Sequence, residues 1–542
     1  VPEKRKQSFL HGATILLVSM TIIKILGAIY KVPLYNILGD SGTTDFAIAY
    51  NIYNLLATLS TAGLPIALAR MIAEAHTQGR ENQVRRNYRV AYMAFLVLGT
   101  VGSLVLFFFS DGLAGIMSTP TAGLSIQALA PVVLLVCLMS VYRGYAEGHR
   151  DMIPTSVSQV VETAVKMVVG LVIAWLLVRA GYSVSTGAAG AILGASFGGA
   201  AALLYLIFAK RKRSRVEAPY EQATDRADSS KRTLARLLKI GVPIALGSSV
   251  MAIMTLIDSG LVMWRLQSVT HGLGMTNEAA KTLYGQYQYG LTLFNGPTFL
   301  VPAFTVSIIP TIASLAVQKR RSEIRDVAEM GLRVSTVLNL PMAVGMVVLA
   351  APLMQVLFTH STGVAVNILY ILGIASFFVC TTLMTTSILQ ASGHERLPVI
   401  SMICGAVVEI ALNLLLVGIP KINVLGSAID TLGCYVTITL LNLVFLHFTM
   451  SERIRFTKII PRQLIASLVM GAAAWGVYGL LDKLVLHGGQ AGRMMTAVCL
   501  VVAIGVAAVV YLVLVVMLRA LTLEDVLSLP KGAKIAKLLR MK

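Results

Sequence analysis

Residues Met494 to Leu518 read MMTAVCLVVAIGVAAVVYLVLVVML, twenty-five positions without one charged side chain. Wound as an α-helix, such a run is about 37 Å long, enough to cross the roughly 30 Å hydrocarbon core of a bilayer. Scanning outward for runs of this kind gives thirteen more, so that fourteen spans are expected: 9–35, 46–74, 90–110, 122–146, 154–178, 187–209, 240–264, 283–316, 331–350, 364–392, 397–418, 424–448, 463–482 and 494–518. Composition agrees. Of 542 residues, 56% are hydrophobic and 13% charged, with mean hydropathy +0.78. A soluble domain carries about 25% charged residues, so soluble, disordered and fibrous classes are excluded. The expected fold class is an all-α polytopic membrane protein of fourteen transmembrane helices.

The net charge is +20. In a soluble chain that would point to nucleic acid; here it reads as positive loops held on the cytoplasmic side, and no nucleic-acid partner is expected. Counted between spans on alternating sides, Lys and Arg number 35 on the amino-terminal side and 6 on the other, with Lys24, Lys31, Arg70 and Lys166 inside spans. The asymmetry predicts that both termini are cytoplasmic. Lys4-Arg5-Lys6 precedes an apolar run that continues to Tyr30 with no small-x-small cleavage site, and reads as a retained first helix. The five cysteines all fall in apolar runs and read as small hydrophobes, neither disulfides nor metal ligands.

The longest polar stretch, 210–239, opens with Lys210-Arg211-Lys212-Arg213 and reads as a basic cytoplasmic linker. It divides a first lobe, 1–209, from a second, 240–448, followed by two added spans within 449–518 and a basic cytoplasmic tail, 519–542. Gly148-His149, Pro154 and Glu162 are echoed in order by Gly393-His394, Pro398 and Glu409, which suggests parallel six-span repeats. Repeats of this kind are a transporter design with the substrate between the halves.

Ionisable groups inside spans each cost about 2.5–3.5 kcal/mol on insertion scales, so they mark water, partners or substrate. Lys24 and Lys31 stand seven residues apart on one helical face and call for an anion or an aqueous cavity, although Lys31 also reads as a snorkelling side chain. Arg70 offers a planar fork for phosphate oxygens, or a positive-inside anchor. Glu162 and Lys166 are i, i+4 and read either as a self-neutralising pair or as a relay. Asp258, Glu409 and Asp430 have no basic partner on their own helices and are candidates for ion coupling. Asn54 and Asn295 are candidate cavity residues; Asn295 with Gly296-Pro297 suggests a broken helix. Gly190, Gly194 and Gly198 form successive GxxxG steps for close helix packing. There is no GxxxxGK[ST] loop and no HExxH motif, and the longest outer loop, about 266–282, is short. A transporter rather than an enzyme is expected, with no catalytic residue, metal or bound cofactor.

Seven segments carry a resemblance: Lys24-Ile-Leu-Gly-Ala-Ile-Tyr-Lys31-Val-Pro-Leu-Tyr-Asn-Ile-Leu-Gly-Asp40 with Tyr53-Asn-Leu-Leu-Ala-Thr-Leu-Ser-Thr-Ala-Gly-Leu-Pro65; Tyr142-Arg-Gly-Tyr-Ala-Glu-Gly-His149 with Pro154-Thr-Ser-Val-Ser-Gln-Val-Val-Glu162; Gly241-Val-Pro-Ile-Ala-Leu-Gly-Ser-Ser249; Leu256-Ile-Asp258; and Leu389-Gln-Ala-Ser-Gly-His394. Together the chain resembles the stage V sporulation protein B / YtgP / MurJ-like branch of the multidrug/oligosaccharidyl-lipid/polysaccharide (MOP) flippase superfamily. The resemblance implies a V-shaped bundle of two six-helix lobes, with spans 13 and 14 forming a groove for a lipid tail. It implies translocation of an undecaprenyl-pyrophosphate-linked oligosaccharide, lipid II above all, to the outer leaflet of the bacterial cell membrane by alternating access.

Lys24 and Lys31 match the family's cavity-lining cations on span one. Coupling to membrane potential, Na+ or H+ is implied, as is a monomer working among membrane lipids beside the cell-wall synthesis machinery. Gram-negative MurJ proteins carry arginines on spans two and eight, where this chain has Asn54-Leu-Leu-Ala-Thr and Tyr287-Gln-Tyr-Gly-Leu. The competing expectations are a cation-coupled multidrug exporter of the MATE class and an exporter of another lipid-linked glycan, for capsule, teichoic acid or spore cortex.

Overall fold

The computed structural model describes residues 2–59, 63–216, 225–272, 276–318, 320–450, 456–486, 492–518 and 520. All regular structure among them is helical, and the chain packs as two compact units, Val1–Gly285 and Gln286–Lys542. The first contains α1 (Pro2–Thr58), α2 (Leu64–Thr77), α3 (Glu81–Phe108), α4 (Ser110–Ile116), α5 (Gly123–Ala128), α6 (Ala130–Gly148), α7 (Ile153–Arg179), α8 (Val184–Val216) and α9 (Ser230–Gly272). The next helix, α10 (Asn277–Phe294), begins in the first unit and ends in the second. The second unit continues with α11 (Val301–Val317), α12 (Arg321–Val348), α13 (Ala350–Leu357), α14 (Gly363–Ala391), α15 (Arg396–Leu412), α16 (Leu425–Thr449), α17 (Phe456–Leu481) and α18 (Arg493–Met517).

Twelve described helical stretches are long and apolar enough to cross a bilayer. The difference from fourteen expected spans has two sources. The expected span 9–35 and the first part of 46–74, the rest of which falls in α2, share one continuous element, of which Ser19–Thr58 is a single apolar stretch of 40 residues. That element is nevertheless a hairpin. Gly39 leaves helical geometry at φ 64°, ψ −171°, and the Tyr30 and Phe46 ring centres lie 6.2 Å apart. In a straight helix sixteen residues would separate them by about 24 Å. The two arms therefore fold back on each other. The second source is the expected span 283–316, which divides into α10, a single 3-10 turn at Pro297–Phe299 and α11. The break falls at Asn295-Gly296-Pro297, where proline removes a backbone donor.

In the first unit α7 and α8 form a close pair because glycine lets their backbones meet. A Cβ on Gly194 would lie 2.5 Å from the Lys166 carbonyl and from the Gly170 Cα, and Gly198 abuts the Glu162 carbonyl. This ladder fixes the helix that carries Glu162 and Lys166. The basic cluster at 210–213 continues α8 as helix. Lys210 Nζ sits 3.1 Å from the centre of the Tyr88 ring, with Tyr142 and Tyr145 also around it. The chain is described again from Asp225, whose carboxylate accepts from the backbone N–H of Asn82 and Gln83 at 2.9 and 3.1 Å, capping the first turn of α3. Arg236 then pairs with Glu74 at 2.5 Å, and α9 packs along α1, α2 and α3. The 210–239 stretch is thus partly helical and strapped to the first unit; residues 217–224 lie outside the described residues, as does the expected tail 519–542 apart from Ala520.

In the second unit α12 packs against α14 and α17, and α17 against α18, around Leu349, Met470, Leu500 and Tyr511. Arg493 at the start of α18 donates to the Val356 and Leu357 carbonyls and to Thr359 Oγ1, at 2.8, 3.0 and 2.6 Å, fastening that helix to the end of α13.

Candidate functional site: a cationic aromatic cluster in the first unit

Lys31, on the first arm of the α1 hairpin, lies 5.5 Å from the centre of the Tyr50 ring on the second arm. Lys166 of α7 lies 5.5 Å from the same ring and 4.9 Å from Tyr53. Both lysines are half-buried. The hairpin and the α7–α8 glycine ladder thus bring two ammonium groups to one tyrosine. An ammonium beside an aromatic face gains about 0.5–2 kcal/mol, which offsets part of the cost of holding it in the bundle.

The helical pairing expected between Glu162 and Lys166 is corrected. The ion pair that Glu162 makes is with Arg143, whose Nη2 donates to Oε2 at 2.8 Å. Tyr53 Oη donates to the other carboxylate oxygen at 3.0 Å, and Arg143 Nε donates to Ser158 Oγ at 3.0 Å. The physical reason is burial: Arg143 is only 3% exposed in α6, and a buried guanidinium requires a carboxylate and further acceptors. The loop count of Lys and Arg includes Arg143, although the expected span 122–146 encloses it. No carboxylate lies within ion-pair distance of Lys166 among the described residues.

A second buried pair joins Asp45, at the start of the second hairpin arm, to Lys281 of α10. Lys281 Nζ is 3.3 Å from Asp45 Oδ2. Thr121 and Ser185 also donate to Asp45, at 2.7 and 2.6 Å, and Thr44 donates to the Lys281 carbonyl at 2.7 Å. Lys281 reaches Glu278 at 3.4 Å as well, and Glu278 accepts from Ser41. Lys281, counted as an outer-loop cation, is therefore inside the protein. Moving Arg143 and Lys281 inside leaves 34 against 6 less one, or 5, so the side-to-side asymmetry of Lys and Arg persists.

In the second unit Asp430 is fully buried and accepts from Asn413 at 2.9 Å and Thr431 at 3.3 Å. Asn413 opens a π turn, Asn413–Val417, a local rewinding that re-aims side chains. Carboxylate oxygens of Asp430 and Glu409 lie within 4.8 Å of each other. Tyr287 and Thr431 share a hydrogen bond at 2.9 Å.

Of the remaining expected residues, Lys24 is exposed on α1. Arg70 is exposed and pairs with Glu74 at 3.1 Å. Asn54 is half-buried, its carbonyl accepting from Thr58 at 2.7 Å. Asn295 is exposed and donates to the Leu291 carbonyl at 2.8 Å. Asp258 is half-buried on α9. Arg143, Asp45 and Lys281 were missed; each stands within a few residues of an expected span limit, and for Arg143 the span limit of 146 already enclosed it.

Twelve apolar helices in two units, with ion pairs buried between them inside the first, define a multi-pass membrane protein. The chain belongs to the polysaccharide biosynthesis protein family, whose sequence pattern it matches over residues 9–316. It is 27% identical to stage V sporulation protein B of Bacillus subtilis (strain 168) over 444 residues, 81% of this chain and 83% of that one. It is 26% identical to the lipid II flippase MurJ of the same organism over 524 residues, 93% and 94% of the two chains. Its fold is similar to the inward closed conformation of lipid II flippase MurJ, with TM-score 0.68 and 14% identity over 93% of this chain and 99% of that one. It is also similar to an inward-facing MATE multidrug resistance transporter of the MOP superfamily, with TM-score 0.63 and 12% identity over 81% and 98%.

Proposed function

We propose that this chain is a flippase that carries an undecaprenyl-pyrophosphate-linked oligosaccharide, lipid II in the first instance, from the inner to the outer leaflet by alternating access. The observation that carries the reading is the pair Lys31 and Lys166 at one Tyr50 ring, with Glu162 committed to Arg143. A diphosphate leaving water needs its charge met inside the protein, and two half-buried ammonium groups on aromatic surfaces supply that, with the neighbouring Glu162 carboxylate tied to Arg143. Lys24, Arg70, Asn54 and Asn295 serve as outlying polar contacts along the route.

In this reading the chain crosses the bilayer fourteen times, with the α1 hairpin counted as two arms and α10 to α11 as one broken span, and both termini face the cytoplasm together with the Lys and Arg excess. The last two helices, α17 and α18, hold the lipid tail. Glu409 and Asp430, with Asp258, Glu162 and Lys166, are the groups through which an ion gradient or membrane potential acts. A cation-exporting reading is disfavoured because the cluster in the first unit carries excess positive charge. Native mass spectrometry of the purified protein tests the proposal: retention of an undecaprenyl-pyrophosphate glycan is expected, and retention of phospholipid alone contradicts it. A teichoic-acid or capsule precursor in its place would keep the flippase and change the cargo.

A further inference from the structure

The lipid-diphosphate reading gives Lys31 and Lys166 a task and leaves Arg143 without one. Arg143 is too buried to meet a ligand, and its contacts are all with protein: Glu162, Ser158 and, at 3.8 Å, the sulfur of Met139. Yet its effect on the site is a matter of charge. At the Tyr50 and Tyr53 rings, Lys31, Lys166 and Arg143 bring three positive charges and Glu162 one negative, a balance of +2; Glu147, which accepts from Thr155 and also neighbours Arg143, is unchanged in every variant below and leaves the differences between them as they are. Glu162 stands one helical turn before Lys166, the favoured order for an ion pair. What keeps the carboxylate from that partner is the guanidinium on one oxygen and the Tyr53 hydroxyl on the other.

We infer that Arg143 is a positioning residue that sets the charge of the site. By holding Glu162 it keeps that carboxylate from closing an ion pair with Lys166, so that the cluster selects a headgroup bearing a pyrophosphate over one bearing a single phosphate. This rests on the lipid-diphosphate reading. Without the guanidinium, Glu162 turns to Lys166, the balance falls to +1, and the preference for the second phosphate is lost. If Glu162 is neutralised as well, the balance returns to +2.

The test compares binding of undecaprenyl pyrophosphate and undecaprenyl phosphate to the full-length protein in nanodiscs. Wild type is expected to prefer the pyrophosphate. R143Q is expected to reduce that preference about tenfold, the value of one hydrogen bond to a charged group. R143K, which keeps the charge, and the double variant R143Q/E162Q, which restores the balance, are expected to recover it. A merely structural arginine would not be rescued by removing its partner. Should R143Q not fold, R143K and the double variant carry the test, and loss of the preference in the double variant overturns the inference. A wild type that binds neither lipid removes the flippase reading itself. A wild-type preference that R143Q retains in full overturns the role of Arg143 and leaves the flippase reading standing.

Discussion

Asp45 and Lys281, 236 positions apart in the chain, meet as a buried ion pair with 3.3 Å between nitrogen and oxygen. Neither is solvated: Asp45 is wholly buried and Lys281 nearly so. The pair fastens the start of α10 to the bend between the two arms of the α1 hairpin, next to the site where Gly285 abuts the Asp40 backbone.

Removing one member should therefore be worse than removing both. Lys281→Met leaves the buried Asp45 carboxylate without a cation and is expected to cost about 3–5 kcal/mol; Asp45→Asn leaves Lys281 only Glu278, at 3.4 Å, and is expected to destabilise less, while the double change is expected to recover much of the loss. Thermal unfolding of the detergent-solubilised variants reads this out. A single D45N variant as stable as wild type would show that the pair carries no such weight.

The hairpin turn depends on a backbone conformation that suits glycine. Gly39→Ala adds a Cβ with nothing within 4 Å of it, so the penalty is conformational rather than steric. At φ 64°, ψ −171°, a region open essentially to glycine alone, it is expected to be about 1–3 kcal/mol. An unchanged unfolding midpoint in G39A would contradict the hairpin geometry.

Close packing of α7 on α8 makes a larger side chain at Gly194 costly. Gly194→Ile forces its Cβ into the Lys166 carbonyl and the Gly170 backbone, an overpacking worth about 1–3 kcal/mol. Displacement of α7 also moves Lys166 away from Tyr50. Lower stability together with weaker retention of bound lipid is expected; full stability would mean the helices are not in backbone contact here.

The strap at Asp225 makes a local prediction. Asp225→Ala deprives the Asn82 and Gln83 amides of their acceptor, a loss of about 1 kcal/mol for a helix cap. Hydrogen–deuterium exchange across the first turns of α3 should quicken while the rest of the first unit is unchanged. Equal exchange in D225A would detach the strap from α3.

The spans were legible because hydropathy alone decides what sits in hydrocarbon. The run Met494 to Leu518 carries no charge at all, and the other long apolar runs follow the same rule. The break at Asn295-Gly296-Pro297 and the glycine ladder of α8 were legible too, since proline and glycine act through backbone geometry that sequence states directly. Partners of buried charges were not. Glu162 has a lysine one turn away on its own helix, and nothing in the linear order says that an arginine from the preceding helix will claim it first. Asp45 and Lys281 were hidden for the same reason, because a charge near a span end looks like a loop residue until the opposing helix is in place. The helical face that Lys31 shares with Lys24 is legible in the sequence, while its meeting with Lys166 at Tyr50 depends on the hairpin.

Transbilayer movement in proteoliposomes tests the central claim most directly. A fluorescent undecaprenyl-pyrophosphate glycan is placed in one leaflet, and its appearance in the other is followed with wild type and with the folded double variant K31Q/K166Q. Wild type is expected to move the lipid and the double variant to fall to the protein-free rate; movement by K31Q/K166Q at the wild-type rate would contradict the account.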